Sequence, residues 1–147
     1  MPLVYLDNCA LQRPLDDRDQ FRVRAEADAV TAVLAAVETG AVSLATSAAL
    51  RAESSRVQHR SRRDFADRVL ALASVDARRS ADVEDLTAVY RQAGLKPFDA
   101  LHLASAVGTG ADYFCTTDDR LLRLGRLANT RSTLVVTPPE LATALDL

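Results

Sequence analysis

Residues 2–7, PLVYLD, form a short, almost continuous apolar run that ends in a carboxylate. Apolar side chains at consecutive positions suit a strand covered on both faces, as in a parallel sheet with helices above and below. Outward from this run, strand and helix signals alternate. A polar loop, NCALQRPLDDRD, leads to a helix over about 20–38, where Val30, Val33, Leu34 and Val37 recur at i, i+3, i+4, i+7 and Gly40 can stop it. A second strand is expected at 41–46 (AVSLAT), then a helix capped by Thr46 or Ser47 that carries Leu50, Glu53 and Val57. Further helices are expected over 61–73, around Val83, Leu86 and Tyr90, and from Pro97 to Gly108 or Gly110. Strands at 112–116 (DYFCT) and 134–137 (LVVT) flank a short helix starting near Asp118 or Asp119, and Thr137-Pro138-Pro139-Glu140 reads as a capping box. Strands separated by helices imply βαβ units with right-handed crossovers. The expected fold is therefore α/β, a three-layer α/β/α sandwich around a four- or five-stranded parallel sheet, in one domain over 1–147.

Composition narrows the function classes. The chain has 147 residues, 48% of them hydrophobic, which is enough for one core and excludes intrinsic disorder. Eighteen Lys and Arg stand against 20 Asp and Glu, for a net charge of −2. That excludes a strongly basic nucleic-acid coat but leaves room for a local basic patch. Cys9 and Cys115 form no CxxC pair, and only His59 and His102 are present, so a structural zinc site is not expected. Reduced thiols, no secretory signal and no membrane-spanning segment make the cytoplasm the expected setting.

The carboxylates carry the chemistry. Asp7 and Asp118 fall at the carboxyl ends of strands, Asp99 in the first turn of the helix opened by Pro97, and Glu53 two turns into the helix after the second strand. Taken singly, each has a structural reading: turn former, helix cap, dipole partner or solvated side chain. In a parallel sheet, however, strand ends and the first turns of the following helices share one edge, where ligands bind. Two carboxylates ~4 Å apart repel by roughly 4 kcal/mol at an effective dielectric of 20, so four together need protons or cations. Oxygen donors select hard cations, Mg²⁺ or Mn²⁺, and such ions promote phosphodiester hydrolysis by activating water.

VYLDNCALQRP at 4–14, Glu53, KPFDALHLASA at 96–106 and FCTTDDRLL at 114–122 resemble the PIN domain, and within it the VapC-like toxin ribonucleases of bacterial toxin–antitoxin pairs. The resemblance spans about residues 3–137. It implies a divalent-metal endoribonuclease whose four acids fall on Asp7, Glu53, Asp99 and Asp118, together with a homodimer and a small antitoxin partner. Asp7 and Asp99 are then the expected principal metal ligands, with Asp118 and Glu53 completing the site directly or through water. Asn8 directly after Asp7 departs from the frequent D-T/S-N order, which leaves its supporting role open, and Asp119 competes with Asp118.

Other residues have both supporting and structural readings. Ser47 and Thr117 can hydrogen-bond the acids or simply cap helices. His102, one turn after Asp99, reads as a packed helix residue, Cys9 as a core or supporting residue, and Cys115 as core. Arg51, Arg56, Arg60, Arg62 and Arg63 surround Glu53 within 51–63; Arg56, Arg60 and Arg63 share a helical face if the helix continues. Arg51, Arg56, Arg60 and Arg63 are candidate RNA contacts that would offset repulsion between the acids and a phosphate backbone, although no aromatic stacking platform is evident. The alternatives are a PIN-fold binding module without catalysis and an RNA-processing nuclease that is not a toxin. An aspartyl phosphatase or phospho-receiver fits poorly: Asp7-Asn8-Cys9 is no D-x-D, and the only lysine is Lys96.

Overall fold

A computed structural model describes residues 1–147. The strands are β1 (Leu3–Leu6), β2 (Ser43–Ser47), β3 (Val75–Ala77), β4 (Tyr113–Cys115) and β5 (Leu134–Val136). The helices are α1 (Asn8–Gln12), α2 (Phe21–Glu38), α3 (Ala48–Ser55), α4 (Arg60–Leu70), α5 (Ala81–Gln92), α6 (Pro97–Gly108), α7 (Asp119–Leu127) and α8 (Pro138–Ala144), with a 3₁₀ turn at Arg13–Leu15. All neighbouring strands pair in parallel, in the order β3-β2-β1-β4-β5. The apolar run that opens the chain is thus the central strand, and Val4, Tyr5 and Leu6 are buried. Thirty buried apolar residues form one cluster across the sheet, with the rings of Tyr5 and Phe114 stacked at 5.7 Å. This is the expected α/β sandwich with the larger of the two expected strand counts.

Strand order fixes the ligand edge. From β1 the chain builds outward through β2 and β3, then returns to the other side of β1 with β4 and β5. The order therefore reverses between β1 and β4, and in open α/β sheets the crevice beyond the carboxyl ends at that reversal is the ligand site. The register sets Leu6 opposite Cys115, and the Asp7 N–H donates to the Cys115 carbonyl at 3.1 Å, so the segments leaving these two strands start side by side.

The α5–α6 pair aims Asp99 at the same edge. A Cβ on Gly108 would lie 2.6 Å from a Val83 methyl, so glycine lets these two helices pack closely. Pro97 opens α6 in its first turn, and the Thr137–Glu140 capping box is formed in both directions. No helix is long and apolar enough to cross a membrane.

Three expectations need correction. The stretch read as a loop after β1 contains α1 and the 3₁₀ turn; the Asp7 side chain caps α1 through Ala10 N, and five residues are too few to show a helical period. β3 lies at the sheet edge over only three residues, with no apolar run to mark it. Finally, the helix carrying Glu53 does not continue through the arginines: α3 ends at Ser55 and α4 starts at Arg60, so Arg56 does not share a helical face with Arg60 and Arg63.

Candidate active site

Asp7 leaves β1 in extended conformation and is only 4% exposed. Its Oδ1 accepts the Ala10 N–H at 2.9 Å and its Oδ2 accepts the Thr116 hydroxyl at 2.5 Å, while the Cys9 thiol reaches both oxygens at 3.1 and 3.2 Å. Every donor is neutral, and no Lys or Arg pairs with this carboxylate. Burial pushes its pKa up to about 6, against the lowering effect of the hydrogen bonds and of His102.

Thr116, the first residue after β4, also accepts the Asp118 N–H on its hydroxyl oxygen at 3.0 Å. One side chain therefore fixes the ends of both central strands. The sequence pointed to Thr117, whose carbonyl instead accepts Arg22 at 3.0 Å. The doublet that follows divides its roles. Asp118 is the exposed cap of α7, with Oδ1 accepting Arg120 N and Leu121 N. Asp119 turns away to Arg22 at 2.7 and 2.9 Å.

Asp99 is partly buried in the first turn of α6. Burial raises its pKa, and the negative charge of Asp118 raises it further; Glu53 acts the same way, while His102 and Lys96 oppose. Asp99, Asp118 and Glu53 thus share one electrostatic environment.

Glu53 is held from below. His102, 1% exposed, faces Glu53 Oε2 through Nε2 at 3.4 Å and the Tyr5 hydroxyl through Nδ1 at 2.8 Å. Tyr5 continues to Ser47 at 2.7 Å, and Ser47 caps α3 through Leu50 N. A carboxylate only accepts, so His102 Nε2 is the donor towards Glu53, and the Tyr5 and Ser47 hydroxyls carry the hydrogen-bonded series onward from Nδ1. Burial keeps the phenol protonated, its pKa pushed well above the ordinary value, with the charges of Asp7 and Glu53 acting the same way. The packed histidine is thus also a strut for Glu53, and Ser47 reaches the acids only through Tyr5. Asn8 touches no acid: its Oδ1 accepts Gln12 and Ser54 at 3.1 Å each and ties α1 to α3. Cys115 is core, whereas Cys9 is exposed beside Asp7.

The arginines are scattered. Arg51 pairs with Asp76 at 3.2 Å, Arg60 approaches Asp64 at 3.8 Å, and Arg63 holds the carbonyls of Val57 and Gln58. Arg62 joins Asp16 at 2.8 Å. Arg56 lies over the ring of the partly buried Phe98, 5.6 Å from its centroid.

The oxygen-only character of these acids suits a hard divalent cation, and the buried Asp7, with no cation from the chain itself, supplies the charge such an ion would neutralise. No three His, Cys, Asp or Glu side chains lie close enough together to hold a metal ion between them, so the structure does not bring the four acids into one ligand cluster. Mg²⁺ and its relatives keep several waters and need only one or two direct carboxylates, so an open site of this kind fits them.

No curated protein compared with the chain matches it. Among solved structures, a chain in the crystal structure of VapBC2 from Rickettsia felis, bound to a DNA fragment from their promoter, superposes with a TM-score of 0.59 at 14% identity, covering 92% of this chain and 98% of that one. At that identity the likeness concerns the fold. The sequence profile of the PIN domain matches residues 4–127, from β1 through α7 and across all four candidate acids. The chain belongs to the PIN domain family.

Proposed function

We propose that the chain is a divalent-metal-dependent endoribonuclease of the VapC-like kind, acting as the toxin of a toxin–antitoxin pair. The observation that carries this reading is Asp7, a buried carboxylate at the strand-order reversal that receives only neutral hydrogen-bond donors. Asp7 and Asp99 hold the ion, Mg²⁺ or Mn²⁺, with Asp118 and Glu53 completing the site directly or through water. When bound, such an ion neutralises the acids, makes water more acidic and steadies the charge of a phosphodiester undergoing in-line displacement. The chain's own part is positional. Thr116 keeps Asp7 and the start of α7 in register, the Ser47–Tyr5–His102 series orients Glu53, and Asn8 braces α1 against the Glu53 helix. Arg51, Arg56, Arg60 and Arg63 contribute positive charge for the RNA backbone.

The same reading takes residues 1–147 as one nuclease unit working in the cytoplasm as a homodimer. A small antitoxin protein covers the acidic groove; the fold likeness to a VapBC2 chain supports such a partner. The test is cleavage of single-stranded RNA by the purified chain in EDTA and in Mn²⁺, alongside Asp7→Asn. Mn²⁺-dependent cleavage that disappears in the variant, with the circular dichroism spectrum unchanged, is expected. Full activity in Asp7→Asn, or equal activity in EDTA, overturns the assignment.

A further inference from the structure

A pocket of about 480 Å³ opens between the end of β2, α3, the β3–α5 connection and α6, and none of the four acids lines it. Phe98 and Leu101 of α6 form its apolar wall, and Arg51, Asp76, Arg78 and Arg79 supply all of its charge. It adjoins the acids closely along the chain, since Ala52 precedes Glu53, Phe98 precedes Asp99, and Ser47 starts the hydrogen-bonded series that ends on Glu53.

The charges are unequal. Asp76 is taken by Arg51 through two contacts at 3.2 and 3.3 Å. Arg78 and Arg79 are exposed and pair with no carboxylate. Asp82, the next acid along the chain, is held by Arg131 at 2.7 and 3.0 Å. Arg56 does not line the pocket, but its unpaired guanidinium lies over the ring of the lining residue Phe98, 5.6 Å from the centroid, and that ring also stacks with His102 at 6.0 Å. A half-apolar recess with unneutralised guanidinium groups, bordering an acidic centre, is matched by a polyanion that carries flat apolar groups. Guanidinium planes and aromatic rings both stack on nucleobases, and only an unpaired strand offers bases to them.

The geometry points to a nucleotide subsite. The pocket takes the stretch of single-stranded RNA adjoining the scissile phosphodiester, with backbone phosphates on Arg78 and Arg79 and a base against Arg56, Phe98 and Leu101. This rests on the nuclease reading for the strand's passage over the acids, and the experiment separates the two.

Fluorescence anisotropy of a labelled single-stranded RNA in EDTA compares the wild-type chain with Arg78→Ala/Arg79→Ala and with Phe98→Ala, and cleavage of the same RNA in Mn²⁺ is followed in parallel. The arginine pair should weaken binding on the order of ten-fold near 0.1 M salt, and losing two phosphate contacts should make the slope of log K against log salt shallower by about 1.4. Phe98→Ala should weaken binding several-fold with the slope unchanged. If the wild type cleaves and the arginine variant binds and cleaves as well as it does, the subsite is wrong and the nuclease reading stands. If the wild type binds RNA through the arginine pair but never cleaves it, the nuclease reading fails and the binding surface survives. A wild type that neither binds nor cleaves RNA removes both. Because both arginines are exposed, the double variant retains the fold.

Discussion

Two carboxylates in this molecule are almost equally hidden, and they live under opposite conditions. Glu26 on α2 is 3% exposed and Asp7 at the end of β1 is 4% exposed. Glu26 accepts Arg13 at 2.9 Å and Arg22 at 3.2 Å, so the chain supplies its counter-charge. Asp7 receives a hydroxyl, a thiol and a backbone N–H, and no cation. A buried charge must be paired, protonated or bound to a metal. Glu26 takes the first course and serves the fold, holding the 3₁₀ turn and α2 together. Asp7 is left with the other two, so the presence or absence of a counter-charge divides these two carboxylates more sharply than burial does.

The largest effect expected from this contrast lies in activity. Asp7→Asn should reduce Mn²⁺-dependent RNA cleavage by roughly three orders of magnitude, the scale of losing a group that handles developing charge, whereas Glu26→Gln should leave the rate per folded molecule unchanged. Stability should respond in the reverse sense. Glu26→Gln removes one of the two carboxylates that each arginine holds, leaving Arg13 with Asp16 and Arg22 with Asp119, and should cost about 2 kcal/mol in urea denaturation, a value held down by those remaining pairs and by the partial exposure of both guanidinium groups.

The pH dependence of the metal-free protein sharpens the comparison. The Asp7 carboxyl titrates near 3.8 when unfolded and about 6 when folded, so the folded state binds the extra proton between those values. Asp7 therefore favours folding most below about pH 4, and this contribution falls away as pH rises through 6, by up to roughly 3 kcal/mol. Asp99, also raised, acts in the same direction. In EDTA, Asp7→Asn should be the more stable protein at pH 7, with the gap closing towards pH 4. A wild type that gains stability from pH 4 to 6 relative to Asp7→Asn would contradict this account. The smallest effect expected is at Tyr5→Phe, which removes the hydroxyl between Ser47 and His102. It should cost about 1 kcal/mol and weaken Mn²⁺ binding, measured calorimetrically, less than Glu53→Gln does.

What the sequence disclosed follows from how local each signal is. The central strand, α2, α6 and the Thr137 cap are written in contiguous patterns, and the acids are placed by topology once strands and helices alternate. β3 escaped because an edge strand of three residues needs little apolar material. The break between Ser55 and Arg60 escaped because neither Gly nor Pro marks it, so arginines at helical spacing suggested a face that does not exist. Thr116 was passed over for its neighbour because strand register, invisible in one dimension, decides which of two adjacent hydroxyls points at Asp7. The pairing of Glu26 with Arg13 and Arg22, and the gathering of Arg78, Arg79 and Phe98 about one pocket, likewise depend on contacts between separate elements.

The family profile ends at Leu127, yet β5 lies beyond it, and the Thr116 N–H donates to the Val136 carbonyl at 3.1 Å. The segment that closes this side of the sheet acts as a splint for the residue clamping both acids. A chain shortened after α7 would keep Asp7, Glu53, Asp99 and Asp118 and still lose the alignment of Asp7 with Asp118, with β4 left as a bare edge open to pairing with another molecule.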